Sequence, residues 1–221
     1  MLNLIAGLVT PDAGEIRIET VGNKTPHIGY VWQDYRASLL PWFSVGENIS
    51  FPLMLANISN KRRKALAEQA LSGFVTDIGV EDPVYRLSGG QQQLVCLLRS
   101  SIADPDILLL DEPLSALDQP TRWTMAFHIE RSWMERRIPA LFVSHDIDEA
   151  VMLADQILLM GRNGGQIVDI LENTLHRPRS AKMLTSSEHI RCRDQVIQFL
   201  FEQGAIRDRH SQTNRLISRT T

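Results

Sequence analysis

The sequence predicts an α/β protein built around a largely parallel sheet. Two short, continuously apolar runs, Ile107–Leu110 and Ala140–Ser144, are typical of strands buried on both faces. Helical spacing of apolar residues precedes the first run, at Leu87–Ala103, and separates the two runs, at Gln119–Arg137. Strands that alternate with helices indicate parallel pairing. The crossover helix carries the chain back to the end of the sheet where the previous strand began, so the next strand runs in the same direction.

Composition narrows the class of protein. The 221 residues are 43% hydrophobic and 22% charged, as expected of a globular chain with one or two cores. The net charge of −3 argues against nucleic-acid binding, which favours a basic surface. Cys96 and Cys192 fit neither a zinc spacing nor a disulfide framework. The late basic residues are expected to form a solvated face: Arg177, Arg179, Lys182, Arg191, Arg193, Arg207 and Arg209.

Periodicity and turn residues predict the remaining elements. Helices are expected at 2–8, 60–74, 147–154 and 191–201, and strands at 15–19, 28–33, 157–160 and 167–171. Residues 39–48 are expected to be a loop with unusually many apolar side chains, and the tail from 207 is polar. In the long helix at Gln119–Arg137, we expect Trp123, Phe127 and Met134 to face the core.

A candidate phosphate site lies at the start of the helix Leu87–Ala103. Ser88 suits the N-cap position, and Gly89 and Gly90 let backbone amides approach a ligand closely. The positive end of the helix dipole favours an anion there. In isolation the same residues more often form an ordinary turn and cap, so both interpretations stay open.

A second candidate site follows the apolar strand Ile107–Leu110. In open α/β sheets, ligands bind at the carboxyl ends of strands. Asp111 there can hold Mg²⁺, and Glu112 can act as a general base for water. His145 and Gln33 end two other predicted strands. The alternatives are a solvated acidic pair, a structural histidine and a surface amide.

The order and spacing of these groups resemble the ATP-binding subunit of ABC transporters. Leu87-Ser88-Gly89-Gly90-Gln91 resembles the family signature, and Leu108–Glu112 with Pro113 resembles the Walker B strand. Ser115–Asp118 is similar to the D-loop, His145 to the switch histidine and Gln33 to the Q-loop glutamine. The resemblance covers essentially the whole chain.

The resemblance implies a RecA-like P-loop NTPase core with a helical signature subdomain, N-terminally truncated. Residues 1–170 would form the ATPase domain, incomplete at its N-terminus, with the helical subdomain at about 38–103. Residues 171–221 would form a C-terminal extension with a helix and a polar tail.

The resemblance also implies an ATPase that works as a head-to-tail homodimer with ATP and Mg²⁺. Each ATP would lie between the Walker motifs of one subunit and the signature of the other. Glu112 would polarise the attacking water, and His145 would hold the γ-phosphate. Asp111 and Gln33 would serve Mg²⁺, directly or through water. The nucleotide-binding set would be Gln33, Ser88, Gly89, Gly90, Gln91 and Asp118, the last tying the two sites together.

Three stretches resemble the importers of nitrate, sulfonates and taurine: Leu39–Trp42, Ser144–Val151 and Arg177–Arg179. This resemblance implies an ATPase subunit that powers uptake of a small anion. It would sit peripherally on the cytoplasmic face of the plasma membrane, with transmembrane permease subunits and a substrate-binding protein as partners. The apolar loop Leu39–Phe43 would face the coupling helix of the membrane subunit.

The sequence departs from the family pattern in two places. The 221 residues contain no Gly-x-x-x-x-Gly-Lys-[Ser/Thr] loop, and Met1–Leu8 resembles the rest of the helix that such a loop opens. We therefore expect this polypeptide alone to bind ATP weakly, and the strand ending at Ser144 to lack a neighbour. Leu94 stands where the family usually has arginine, so a charge beside the signature is lost.

Two other functions remain open. The chain could be a non-hydrolysing remnant that only docks on the membrane subunit, or a soluble ABC-type ATPase such as a translation factor or DNA-repair protein. The single cassette, the acidic balance and the importer-like loop disfavour the soluble ATPase. An in-frame Gly-rich loop in the upstream nucleotide sequence would favour the importer over the remnant.

Overall fold

The computed structural model describes residues 1–20, 22, 24–74, 76–161 and 165–202. The chain divides into two compact units, Met1–His145 and Asp146–Thr221. The predicted boundary near residue 170 and the helical subdomain at about 38–103 stay predictions. The expected polar tail from 207 lies outside the described residues. None of the described helices is long and apolar enough to cross a bilayer.

The described part of the first unit holds a sheet of three parallel strands. Their order is β1 (Ile28–Val31), β2 (Ile107–Asp111) and β3 (Ala140–Val143). In the register, Val31 lies beside Leu110, and Asp111 lies beside Val143. The parallel sheet that the sequence predicts is therefore confirmed.

The edge strand β3 is less buried than the sequence suggests. Ala140 is exposed and the other three residues are half-buried, so the expectation of a strand buried on both faces is wrong. Among the described residues, β3 pairs only with β2. Within the described residues, the other side of β3 has no strand partner, so β3 is an edge strand.

Seven helices of the first unit are described. They are α1 (Leu2–Ile5), α2 (Tyr35–Ser38), α3 (Val45–Ile49), α4 (Phe51–Leu55), α5 (Asn60–Ser72), α6 (Gly89–Ser101) and α7 (Gln119–Arg136). Helix α1 is shorter than the predicted 2–8. The buried side chains of α7 include Met125, Ala126 and Glu130, whereas Trp123, Phe127 and Met134 are only half-buried. The predicted inward face of α7 is therefore displaced by about a quarter of a turn around the helix axis.

Two further expectations about the first unit are wrong. Residues 15–19 form no strand: without a partner strand, the local alternation of apolar and polar residues is not enough. Residues 45–48 belong to α3 rather than to a loop. Ser44 accepts from Glu47 N at 3.3 Å while Ser44 N donates to the Glu47 carboxylate at 2.9 Å. This capping box was readable in the sequence as Ser-x-x-Glu.

The second unit contains α8 (Ile147–Leu153), the antiparallel pair β4 (Gln156–Met160) and β5 (Ile167–Glu172), and α9 (Ser187–Glu202). Helix α9 begins four residues before the predicted start at 191. Arg179 is 4% exposed, so the expected solvated basic face is wrong there. Its guanidinium donates to the carbonyls of Met152 and Ala154, at 3.2 and 2.9 Å, at the C-terminal end of α8.

Candidate active site

The carboxyl ends of three neighbouring strands place the predicted polar residues along one edge of the sheet. The strands β1, β2 and β3 are parallel and in register up to Val31, Asp111 and Val143. Gln33 and His145 each lie two residues beyond their strand, and Glu112 lies one residue beyond β2. This edge is where open α/β sheets bind ligands.

Glu112 and His145 are in direct contact. His145 Nδ1 lies 3.2 Å from Glu112 Oε1. The Glu112 backbone has a φ of 47°, in the left-handed region that side chains other than glycine rarely adopt. Its amide donates to Val143 O at 2.9 Å. The strained turn therefore directs the carboxylate towards the end of the next strand, where a general base would be needed.

Asp111 is half-buried at the end of β2. Burial raises the pKa of its carboxyl, and the negative charge of Glu112 raises it further, while the N-terminal ammonium group of Met1 lowers it. The pKa of Tyr30 is also raised, by burial and by Asp111. Tyr30 Oη donates to Asn3 Oδ1 at 2.7 Å, which ties the chain's start to β1 beside the acidic pair.

The signature-like residues cap helix α6. Ser88 Oγ accepts from Gln91 N at 3.3 Å, and Gln91 Oε1 accepts from Ser88 N at 2.9 Å. Gln91 Nε2 donates to Asp77 Oδ1 at 3.0 Å. The residues therefore do cap the helix, which is one of the two roles that the sequence left open. The backbone N–H and the side-chain amide of Gln91 both donate hydrogen bonds within the chain.

The two glycines of this cap are required by packing as well as by any ligand. A Cβ at Gly89 would lie 2.9 Å from Tyr35 Oη, and a Cβ at Gly90 would lie 2.6 Å from Leu117 Cδ2. Both distances are shorter than a carbon atom tolerates. The N-terminus of α6 therefore touches both the segment after Gln33 and the turn after Glu112.

The structure separates the predicted residues into two groups. Within the described residues, no hydrogen bond or ion pair joins Ser88, Gln91 or Asp118 to the Glu112–His145 pair. Asp118 is exposed at the N-cap of α7, without a side-chain cap. The chain thus presents an acid–histidine group and a separate helix cap.

Two buried amides near these groups were not predicted from the sequence. Gln93 is 2% exposed, and its Nε2 donates to Glu112 O at 3.4 Å. Asn48 is fully buried and bonds to the backbone of the apolar loop. The signal that could have found Gln93 is its place among the buried positions of a helix, where an amide needs a partner.

A groove of about 650 Å³ lies beside the apolar loop. Its lining includes Arg36, Leu40, Pro41, Trp42, Tyr85 and Gln92. The side chains of Trp42 and Tyr85 are 73% and 65% exposed. Large aromatic side chains are seldom so exposed on a protein surface that contacts only solvent. Leu94, which replaces the expected arginine, is 5% exposed and belongs to the apolar core.

A profile of the family described as "ABC transporter" matches residues 1–115. The chain belongs to the ABC transporter family. The taurine import ATP-binding protein TauB of Pseudomonas syringae pv. tomato is 39% identical over 213 residues, which cover 93% of this chain and 80% of that protein. A putative ATP-binding protein of Brucella abortus biovar 1 is 34% identical over 213 residues, which cover 95% of this chain and 81% of that protein.

Solved ABC structures share the fold of this ABC protein. A dimeric post-hydrolysis state of the ATP-binding cassette MJ0796 bound to ADP and Pi has a TM-score of 0.67 at 25% identity, covering 79% of this chain and 80% of that one. A second dimeric structure of the same cassette has a TM-score of 0.68 at 26% identity. The predicted α/β fold of an ABC ATPase is confirmed.

Proposed function

We propose that this chain is the ATP-binding and hydrolysing subunit of an importer for a small anion such as taurine, another sulfonate or nitrate. The observation that carries the proposal is the contact of Glu112 with His145 at the carboxyl edge of the sheet, 3.2 Å between Oε1 and Nδ1. Relatives named taurine import ATP-binding proteins support the substrate class.

In this proposal, Glu112 is the general base that orients and polarises water, and His145 contacts the γ-phosphate. The left-handed turn at Glu112 keeps its carboxylate in place without a rearrangement during the reaction. Ser88, Gly89, Gly90 and Gln91 serve the ATP of a second copy. The dimeric state named for the related cassette supports action between subunits. Asp118, exposed at the start of α7, joins the two sites.

The residues present fit a magnesium ion. Burial raises the pKa of Asp111, and the adjacent negative charge of Glu112 raises it further; a divalent cation would relieve this repulsion. Asp111 and Gln33 supply oxygen ligands at one sheet edge. Within the described residues, no group of three or more acidic, histidine or cysteine side chains is arranged to hold a metal. Bound there, Mg²⁺ would neutralise charge on the β- and γ-phosphates.

The groove beside Leu39–Phe43 receives the membrane partner. The aromatic side chains of Trp42 and Tyr85 are exposed at its rim, and Arg36 supplies a cation in its lining. This surface fits an apolar helical segment of a transmembrane permease subunit. The chain would therefore sit peripherally on the cytoplasmic face of the plasma membrane, and a substrate-binding protein would complete the importer.

The test is Glu112→Gln in the intact ATPase subunit as expressed from its own gene. We expect loss of ATP hydrolysis with retained ATP binding, because the amide keeps the size of the side chain but cannot accept the proton. Gln156→Glu, an exposed change in β4, is the control and should leave turnover unchanged. Retained turnover in Glu112→Gln would refute the role of Glu112.

A further inference from the structure

We propose that Gln93 is a positioning residue that ties the signature helix α6 to the main chain of Glu112. Movement of α6, which serves one ATP, then shifts the general base that serves the other. The inference rests on the proposed function, and it adds a physical link between the two ATP sites within one subunit.

The link is a contact of the side chain with the strained turn. Gln93 Nε2 donates to Glu112 O at 3.4 Å. The same carbonyl accepts from Ser115 N at 3.2 Å and from Ser115 Oγ at 3.0 Å. Because Glu112 has a positive φ, the position of its carbonyl determines where its carboxylate points. A donor from α6 therefore acts directly on the geometry of the general base.

A second contact joins α6 to the far end of the same turn. Gly90 packs so closely on Leu117 that a Cβ would lie 2.6 Å from the Leu117 methyl group. Leu117 is 5% exposed, so it has little room to move aside. Helix α6 thus holds the turn 112–118 near both of its ends.

The rest of α6 is fastened firmly enough to transmit a displacement. Arg99 donates to Ser38 O and to Ser38 Oγ, both at 2.8 Å, which joins α6 to the segment after Gln33. A Cβ at Gly29 would clash with the carbonyl of Ser100, so β1 and the end of α6 are also in close contact. A force on the cap at Ser88 therefore reaches the turn at Glu112 through a rigid helix.

The amide of Gln93 is poorly suited to a purely stabilising role. Its Oε1 is buried, and it has no hydrogen-bond partner within the part of the chain that the structure describes. A buried polar atom without a partner costs stability. A methionine of similar length would avoid this cost, and Glu112 O would still keep both donors from Ser115. The amide therefore contributes the link rather than stability.

The first test uses Gln93→Met in the 221-residue chain, with Gln69→Met as the control. Gln69 is exposed on α5, and it is not one of the residues that line the groove. We expect hydrogen exchange of the backbone amides in 114–118 to rise by about fivefold in Gln93→Met only. The melting temperature should stay within about 2 °C or rise. Unchanged exchange, or a melting temperature lowered by more than about 5 °C, overturns the proposal.

The second test measures ATP turnover of the intact subunit. Gln93→Met should lower kcat by about tenfold while KM for ATP changes less than about twofold, because binding groups are untouched and only the base is misplaced. Gln69→Met should change neither kcat nor KM. Faster exchange with unchanged kcat, or equal losses in both variants, overturns the positioning role. If the wild-type protein hydrolyses no ATP, the proposed function fails, and the exchange experiment still decides whether Gln93 forms the link.

Discussion

Asn48 holds the apolar loop Leu39–Phe43 in place, and its substitution by alanine should cost measurable stability. The side chain is fully buried on α3. Its Oδ1 accepts from Leu40 N at 2.9 Å, and its Nδ2 donates to the carbonyls of Leu40, Phe43 and Ser44 at 3.0, 3.2 and 3.0 Å. One amide therefore fixes the backbone on both sides of Trp42.

The expected loss follows from these contacts. A net contribution of about 1 kcal/mol for each hydrogen bond, together with partially buried loop groups left unpaired, gives a loss of about 3–5 kcal/mol for Asn48→Ala. Asn48→Asp keeps the acceptor for Leu40 N but loses all three donations. It should therefore destabilise the fold by a similar amount, since a buried carboxylate facing carbonyl oxygens is also unfavourable.

The assay is equilibrium urea denaturation followed by tryptophan fluorescence. Asn60→Ala is the matched control: Asn60 is exposed at the start of α5, and its loss should change stability by less than about 0.5 kcal/mol. A loss below about 1 kcal/mol in Asn48→Ala would show that the loop keeps its conformation without this side chain, and the reasoning would be refuted.

Three further predictions concern packing, pH and docking. Gly29→Ala places a methyl group against the carbonyl of Ser100 and should destabilise the first unit by about 2–3 kcal/mol in urea denaturation; an unchanged midpoint would contradict the packing of β1 on α6. Burial lowers the pKa of His189, which is 1% exposed. Its stabilising contribution is therefore complete above the unfolded value of about 6.5 and is lost as pH falls through the lower folded pKa. The melting temperature of the wild type should fall more between about pH 7.5 and about pH 5 than that of His189→Leu, and equal falls would exclude His189 as the cause. Trp42→Ala should reduce co-purification of the membrane subunit by about tenfold or more, while Leu55→Ala, an equally exposed apolar change outside the groove, should not; equal effects would count against the groove as the docking surface.

Much of the site could be predicted from local signals. Ser88 before two glycines marks a helix cap, and Asp111 and Glu112 after four apolar residues mark the end of a buried strand. Both patterns depend only on residues adjacent in sequence, so they can be recognised without knowledge of the fold. The contact of Glu112 with His145 could be expected only in outline, because it depends on the register of β2 against β3.

Other features depend on residues far apart in the chain. The alternation at 15–19 predicts a strand, yet a strand exists only where another one pairs with it. The sequence predicts a solvated cation at Arg179 and does not single out Gln93, yet both are buried, and carbonyls at the end of α8 and at Glu112 accept their hydrogen bonds.

The sequence by itself determined the class of fold, the presence of a parallel sheet and the residue types at the sheet edge, since apolar periodicity and helix caps are local properties. Only the tertiary structure decided which strand has an open edge, which polar groups are buried, and that α6 reaches the main chain of Glu112. These depend on pairing and packing between distant segments, because burial is a property of the surroundings and not of the residue.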